Sequence, residues 1–218
     1  MAIKAALFDL DGTLLDSMGV WAHIDEQFLS VRGIPVPDDY QLAIAALRVH
    51  EAAAYTIRRF SLTESPEQVA REWMDMAREE FASRVALKPH ARQLLELMRA
   101  RGLRLGTVSS LAPELFEPAL RRNGVYGLFD AFTSASEAPR SKAYPDAYLL
   151  AAGRLGAQPC ECVMYDDLPE ALMGARAAGM ATVGVYDGHA RVTAGELERA
   201  ADRFIYDFVE EISRLENA

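Results

Sequence analysis

The sequence predicts an α/β fold in which a parallel sheet is covered by helices on both faces and is interrupted after its first strand by a helical insert. Short apolar runs alternate with helical patterns from residue 88 to the end of the chain. One more apolar run stands alone at residues 3–10, and only helical patterns lie between it and residue 88. The 218 residues exceed the roughly 100–200 of a typical domain, which leaves room for a sheet domain and a second module.

The first strand and the helical insert follow from a change of hydrophobic period. Residues 3–10 form a compact apolar run, which is typical of a buried strand. A helix is predicted from Ser17 to Gly33, because apolar residues recur there at helical spacing: Trp21, Ile24, Phe28 and Val31. The helical pattern continues to about residue 85, with a second start where Ser65 can cap a helix that opens at Pro66.

The rest of the chain alternates between strands and helices. The predicted strands lie at residues 103–110, 131–135, 162–167, 181–186 and 203–208. The predicted helices lie at residues 89–101, 113–123, 145–155, 169–178 and 193–201 and in the tail. Apolar strands joined by helices are typical of a parallel sheet that is buried on both faces. We therefore predict an α/β core of residues 1–16 and 88–218 and a helical domain of residues 17–87.

Composition and charge disfavour several classes of protein. The net charge of −9 argues against a general nucleic-acid binder, which needs a basic face. No apolar run approaches the roughly 20 residues of a membrane span, so we expect no membrane association. The two cysteines, Cys160 and Cys162, are too few for a disulfide framework or a closed zinc site, and a reducing, cytoplasmic location is expected.

Residues with reactive or charged side chains follow the predicted strands. Ligands of an open parallel sheet bind beyond the carboxyl ends of its strands, so these residues are candidates for one site. They are Asp9 and Asp11 after the first strand, Ser109 and Ser110 after the second, Lys142 before a later helix, and Asp166 and Asp167 after the fourth strand. Four carboxylates at one edge cannot all stay ionised without a cation among them, and oxygen ligands of this kind favour Mg²⁺.

The spacing of the first two carboxylates suits phosphoryl transfer. Strand alternation sets Asp9 and Asp11 on the same side of the backbone. One carboxylate could attack phosphorus, and the other could protonate the leaving oxygen and then activate water. Ser109 and Lys142 would hold the phosphoryl oxygens, with a metal ion neutralising their charge.

Four segments resemble, in order, the four motifs of the haloacid dehalogenase-like superfamily. They are DLDGTL (9–14), TVSSL (107–111), SKAYPDAY (141–148) and MYDDLPEALMGARAAGM (164–180). The resemblance covers the whole chain, since the helical insert is similar to the small cap domain that this superfamily places after its first motif. It is greatest to the phosphoglycolate phosphatase and beta-phosphoglucomutase-like branch, and it implies a Rossmann-like core with an inserted helical cap.

The resemblance also implies a role for each motif residue. Asp9 would be the nucleophile that forms an aspartyl-phosphate and a Mg²⁺ ligand, and Asp11 would be the general acid/base with its backbone carbonyl on the metal. The other implied site residues are Ser109, Ser110 and Lys142 on phosphate, and Asp166 and Asp167 around Mg²⁺. The sequence departs from the family pattern in two places. Ala143 stands where a proline is frequent, and Asp166 stands where a longer glutamate is frequent, so Asp166 would reach the metal either directly or through water.

Each of these residues also has a purely structural interpretation. Asp-Gly is a common turn signal, and the acidic pair before Pro169 could simply cap a helix. Ser109 could be a helix cap, and Lys142 a solvated cation. The rarity of lysine argues mildly for a special role of Lys142, because only Lys4, Lys88 and Lys142 are lysines among 23 basic residues.

The sequence favours a Mg²⁺-dependent phosphatase, expected to be a monomer, that acts on a small phosphomonoester such as a sugar phosphate or phosphoglycolate. The alternative is a sugar phosphomutase. In that branch a cap histidine typically follows the first motif, whereas this chain has Trp21 there and His23 on another face. Asp11 argues against a dehalogenase, and a phospho-accepting signalling module or a non-catalytic protein is less expected. Trp21, Arg48 and His50 are candidate substrate-binding residues, although packing for Trp21 and a solvated helix face for the others are at least as plausible.

Overall fold

The central element of the computed structural model is one six-stranded parallel sheet, with strand order β3-β2-β1-β4-β5-β6. The structure describes residues 2–44, 47, 49–188 and 192–217. The strands are β1 (Ala5–Phe8), β2 (Arg104–Ser109), β3 (Ala131–Ser134), β4 (Cys162–Asp166), β5 (Ala181–Val185) and β6 (Arg203–Ile205). The predicted fold class is confirmed, and the observed strands are up to four residues shorter than the predicted ones.

Helices connect these strands and fill the insert. Those of the insert are α1 (Met18–Ser30), α2 (Tyr40–Ile44), α3 (Val49–Phe60) and α4 (Pro66–Ser83). Those of the remaining chain are α5 (Ala91–Ala100), α6 (Pro113–Arg122), α7 (Asp146–Arg154), α8 (Pro169–Ala177), α9 (Ala194–Ala200) and α10 (Phe208–Glu216). None of the helices in the described ranges has the length and apolar character that a bilayer crossing would require.

The two faces of the sheet bury different sets of helices. Phe8 and Tyr165 stack on one face, with ring centroids 4.7 Å apart, in the apolar cluster that includes residues of α5, α6 and α10. Leu7 and Met164 belong to the opposite cluster, with residues of α7 and α8. This alternation follows from the two-residue period of a strand, and it explains why the central strands are apolar throughout.

The helical insert, residues 18–83, packs its first and last helices together. The ring of Phe28 in α1 meets that of Trp73 in α4 edge to face, with centroids 5.4 Å apart. Ser65 caps α4 as predicted, because its hydroxyl accepts a hydrogen bond from the backbone of Gln68. Val31 departs from the predicted apolar face: α1 ends at Ser30, and Val31 is 77% exposed. The boundaries of the core and insert as separate domains remain a prediction.

Candidate active site

The parallel register of β1 and β4 brings two of the predicted acids side by side. Phe8 pairs with Tyr165, and the next backbone N–H, that of Asp9, donates to the Tyr165 carbonyl oxygen at 2.9 Å. Asp9 and Asp166 therefore emerge next to each other at the carboxyl edge of the two central strands. Both residues are buried there.

Lys142 lies between these two carboxylates. Its Nζ is 2.9 Å from Asp9 Oδ1 and 2.6 Å from Asp166 Oδ2. Burial alone would lower the pKa of Lys142, but the negative charges of Asp166 and Asp9 hold it above its ordinary value. The ammonium group is thus a permanent cation beside the predicted nucleophile.

The backbone of Lys142 is held by helix α8. Tyr148 donates a hydrogen bond to the Lys142 carbonyl oxygen at 2.9 Å. Gly174 in α8 comes so close that a Cβ there would lie 2.1 Å from the same oxygen. Only a residue without a side chain allows this approach, so Gly174 sets the position of Lys142 relative to the sheet.

Asp167 is positioned by the turn that follows β1. The hydroxyl of Thr13 donates to Asp167 Oδ1 at 3.1 Å. Gly12 has a φ of 80°, and a Cβ there would lie 2.7 Å from Asp167 Oδ2. Asp11 and Gly12 therefore form a turn, as the structural interpretation of the Asp-Gly pair predicts. The same turn contacts the acidic pair.

The carboxylates of Asp9, Asp166 and Asp167 form one buried cluster, with one oxygen of each within 4.8 Å of the others. Burial raises the pKa of Asp166, and it raises that of Asp167 with the help of the charges of Asp166 and Asp9. Lys142 supplies one positive charge against three carboxyl groups. An all-oxygen donor set with excess negative charge fits a hard divalent cation such as Mg²⁺.

Asp11 lies beside this cluster and has a different set of partners. Its carboxylate accepts a short hydrogen bond from the Ser17 hydroxyl. Burial raises the pKa of Asp11, hydrogen bonds from Ser17 and Trp21 oppose the rise, and the charges of Asp9 and Asp187 add to it. A carboxyl group with a raised pKa can hold a proton and give it up, which suits a general acid.

The two serines after β2 differ in burial. Ser109 is buried, and its Oγ accepts the backbone N–H of Leu111 at 3.2 Å. Its own hydroxyl hydrogen is free to be donated to a ligand, as far as the described contacts show. Ser110 is exposed. The geometry therefore supports Ser109 as a phosphate donor more directly than Ser110.

A cavity of about 600 Å³ opens next to Asp167, between the helical insert and the loop after β4. Trp21 lines it, and a hydrogen bond from the same side chain reaches Asp11. His50 is exposed at the start of α3 and is not among the described lining residues, and Arg48 lies outside the described residues. Of the three predicted substrate-binding residues, the structure thus brings Trp21 to the cavity.

Several residues near the site were missed by sequence reasoning. They include Asp25 and Trp73, which line the cavity. Lys88 Nζ is 2.8 Å from Asp187 Oδ2 in a buried ion pair, and the charge of Asp187 acts on Asp11. Lysine is rare in this chain, so the argument for a special role of Lys142 applied equally to Lys88. That argument was the available indication that Lys88 is not an ordinary surface residue. Asp25 gave no signal, because an acid on a helix is usually solvent-exposed.

Comparison with known proteins agrees with this geometry. The family model described as haloacid dehalogenase-like hydrolase matches residues 3–179. The chain is 27% identical over 194 residues to hexitol phosphatase B of Escherichia coli (strain K12), covering 83% of this chain and 82% of that protein. It is 30% identical over 189 residues to hexitol phosphatase A of the same strain, covering 85% and 84%.

A solved structure shows the same fold. It is that of a predicted phosphoglycolate phosphatase from Haemophilus somnus 129PT, with a TM-score of 0.82, 22% sequence identity and coverage of 98% of both chains. These matches confirm the prediction of a phosphatase enzyme, and the chain belongs to the haloacid dehalogenase-like hydrolase family.

Proposed function

We propose that this protein is a Mg²⁺-dependent phosphatase that hydrolyses a small phosphomonoester through a phosphoryl group transferred to Asp9. The observation that carries the proposal is the buried cluster of Asp9, Asp166 and Asp167 with Lys142, and Asp11 beside it. This arrangement supports the roles of nucleophile for Asp9, proton donor for Asp11 and cation for Lys142.

The first half of the reaction transfers the phosphoryl group. A carboxylate oxygen of Asp9 attacks phosphorus in line as the bond to the leaving oxygen breaks, and Asp11 gives its proton to that oxygen. Lys142 and Ser109 bind the phosphoryl oxygens, on which negative charge accumulates. Asp9, Asp166 and Asp167, with the carbonyl of Asp11, would hold Mg²⁺. When bound, the ion neutralises charge on the carboxylates and the phosphoryl group.

The second half returns Asp9 to its free state. Asp11, now ionised, takes a proton from a water molecule whose oxygen attacks phosphorus. The bond between phosphorus and the Asp9 oxygen breaks, and inorganic phosphate leaves. Asp11 is then protonated again, so the two steps restore both carboxyl groups and consume one water molecule.

The contacts around His23 favour hydrolysis over a phosphomutase reaction. Trp21 occupies the position where the phosphomutase branch has its cap histidine, and His23 is directed instead towards Glu80, 3.8 Å away. A histidine in contact with Asp11 would indicate a mutase. None of the described histidines makes that contact.

The names of the relatives suggest a substrate of about the size of a hexitol phosphate. Hexitol phosphatases A and B are both among the matched proteins. We propose that the enzyme is cytoplasmic and that it is a monomer. The chain has two cysteines, too few for a disulfide framework, which supports a reducing compartment.

Phosphate release from phenyl phosphate with and without Mg²⁺ tests the proposal. We expect Mg²⁺-dependent turnover that Asp9→Asn lowers by at least about 10³-fold, because the amide cannot attack phosphorus. Asp16→Asn is the matched control, since Asp16 is exposed and lies seven residues further along the same segment. Retained turnover in Asp9→Asn would overturn the assignment of the nucleophile.

A further inference from the structure

The cavity beside Asp167 differs in chemistry from the strand edge that it adjoins. Its volume of about 600 Å³ is that of a small-molecule site. Most of its described lining is apolar and includes both tryptophans of the chain, Trp21 and Trp73. The polar side chains of the described lining are Asp25, Gln41 and Asp167. Since Asp167 belongs to the acidic cluster, Asp25 and Gln41 are left to contact the rest of a ligand.

Asp25 is a buried carboxyl group that faces this apolar space. It is 8% exposed, and the structure shows no hydrogen bond or ion pair to it from any described residue. Desolvation raises its pKa to about 7. Trp21, Asp25 and Phe28 follow at intervals of four and three residues and so share one face of α1, which is the face that meets Trp73.

Trp73 contributes a second polar group without a partner. The residue is 6% exposed, and its indole Nε1 has no hydrogen-bond partner among the described residues. A buried N–H of this kind is costly, and native proteins normally satisfy it. An acceptor group of a ligand inside the cavity would do so.

We propose that Asp25 and Trp73 form a specificity subsite for a substrate whose leaving alcohol is a mainly apolar ring system carrying a hydroxyl group at the end remote from the phosphate. This inference rests on the proposed phosphatase function and deepens it. A hydroxyl donates to Asp25 and accepts from Trp73 Nε1, so a single group satisfies both. The ring fills the apolar lining, where the several hydroxyls of a polyol would lose their hydrogen bonds to water.

A series of four phosphomonoesters separates ring, hydroxyl and polyol contributions. They are phenyl phosphate, 2-naphthyl phosphate, 6-hydroxy-2-naphthyl phosphate and D-sorbitol 6-phosphate. We expect both naphthyl esters to have a KM about ten-fold or more below that of sorbitol phosphate; KM is compared because a naphtholate leaves more readily than an alkoxide in any active site. The added hydroxyl should give a further gain of about ten-fold in kcat/KM, expressed mainly as a lower KM, as expected for one hydrogen bond in a buried site.

Two variants then test the residues. Asp25→Leu should abolish the gain from the hydroxyl, so that kcat/KM for 6-hydroxy-2-naphthyl phosphate and for 2-naphthyl phosphate become equal within this variant. Trp73→Phe keeps an aromatic ring and removes the indole N–H. It should therefore lower the gain in kcat/KM from the added hydroxyl by about three-fold. Glu26→Leu is the matched control, because the neighbouring acid is exposed and its loss should leave the gain intact.

Calorimetric titration with the product alcohol, 2,6-dihydroxynaphthalene, supplies a readout that is independent of catalysis. The subsite is overturned if sorbitol phosphate has the lower KM, or if Asp25→Leu retains the full gain from the hydroxyl. It is also overturned if the alcohol binds the parent and Asp25→Leu equally. Absence of phosphate release from all four esters would instead contradict the phosphatase function, and the titration would then decide on the subsite by itself.

Discussion

The strand edge and the cavity of the helical insert both bury acidic side chains, but they differ in the partners that these side chains have. At the strand edge, Asp9 and Asp166 are paired with Lys142, and Asp167 accepts a hydrogen bond from Thr13. In the cavity, Asp25 has no partner among the described residues. The groups that we propose for phosphoryl transfer are therefore already paired with other side chains. The carboxyl group that we propose to bind the leaving alcohol has no such partner, and so a ligand can stabilise it.

Removing the cation of the strand edge should have the largest effect. Lys142→Met leaves two buried carboxylates without their partner, which typically costs about 3–5 kcal/mol of stability. Loss of the charge facing the phosphoryl oxygens should lower kcat by about 10²–10³-fold. Phosphate-release kinetics and urea unfolding measure the two effects.

Lys4→Met is the control for that substitution. Its side chain is 65% exposed and pairs with Glu161 on the surface, so stability and turnover should change little. Equal losses in the two variants would show that the strand edge does not depend on its buried cation, and the contrast with the cavity would disappear.

The pH dependence of stability should reveal the unsatisfied acid of the cavity. Folding raises the pKa of Asp25 from 3.8 to about 7, so the folded protein holds a proton that the unfolded chain loses above pH 4. The free energy of unfolding therefore falls as pH rises from about 4 to about 7. Asp25→Asn removes this contribution and should be more stable than the parent at pH 8, by up to about 4 kcal/mol for a shift of this size.

Urea unfolding at pH 5 and pH 8 measures the effect, with Glu26→Gln as the same chemical change on an exposed side chain. A benefit of Asp25→Asn that is equally large at both pH values would contradict the interpretation, since it would not arise from proton binding. No benefit at pH 8 would mean that Asp25 is satisfied in the folded protein.

The smallest of these effects tests how helix α8 holds the backbone of Lys142 at the strand edge. Gly174→Ala would place a Cβ 2.1 Å from the Lys142 carbonyl oxygen, so α8 and the Lys142 segment must separate. We expect a loss of about 1–3 kcal/mol and a lower kcat, because the ammonium group moves with its backbone. Gly153→Ala is the control: a Cβ there meets nothing within 4 Å, and alanine should stabilise α7 by about 0.5–1 kcal/mol.

Much of the strand edge could be predicted because the parallel fold itself brings strand ends together. Asp9 and Asp166 follow neighbouring strands, so their meeting needs only the sheet order and register. Lys142 was harder, since it lies on no strand, and its position depends on the close approach of Gly174 in α8. The motif order identified it, but local periodicity could not.

The cavity could not be predicted in the same way. In the sequence, Asp25 is an ordinary polar residue of a helix. Its burial depends on how α1, α4 and the loop after β4 pack around the cavity. Trp73 reads as a core residue, which it partly is, since it packs on Phe28. Nothing local distinguishes an indole N–H that finds a partner from one that does not.

The α/β class, the helical insert, and the identity and order of the residues at the strand ends could all be predicted from the sequence. These follow from periodicity and from short motifs, which depend on neighbours in the chain. The tertiary structure decided which side chains of the insert face the phosphoryl site and which polar groups there lack partners. Burial and hydrogen bonding depend on contacts between segments distant in sequence, and those contacts form only when the helices of the insert pack against one another and against the rest of the chain.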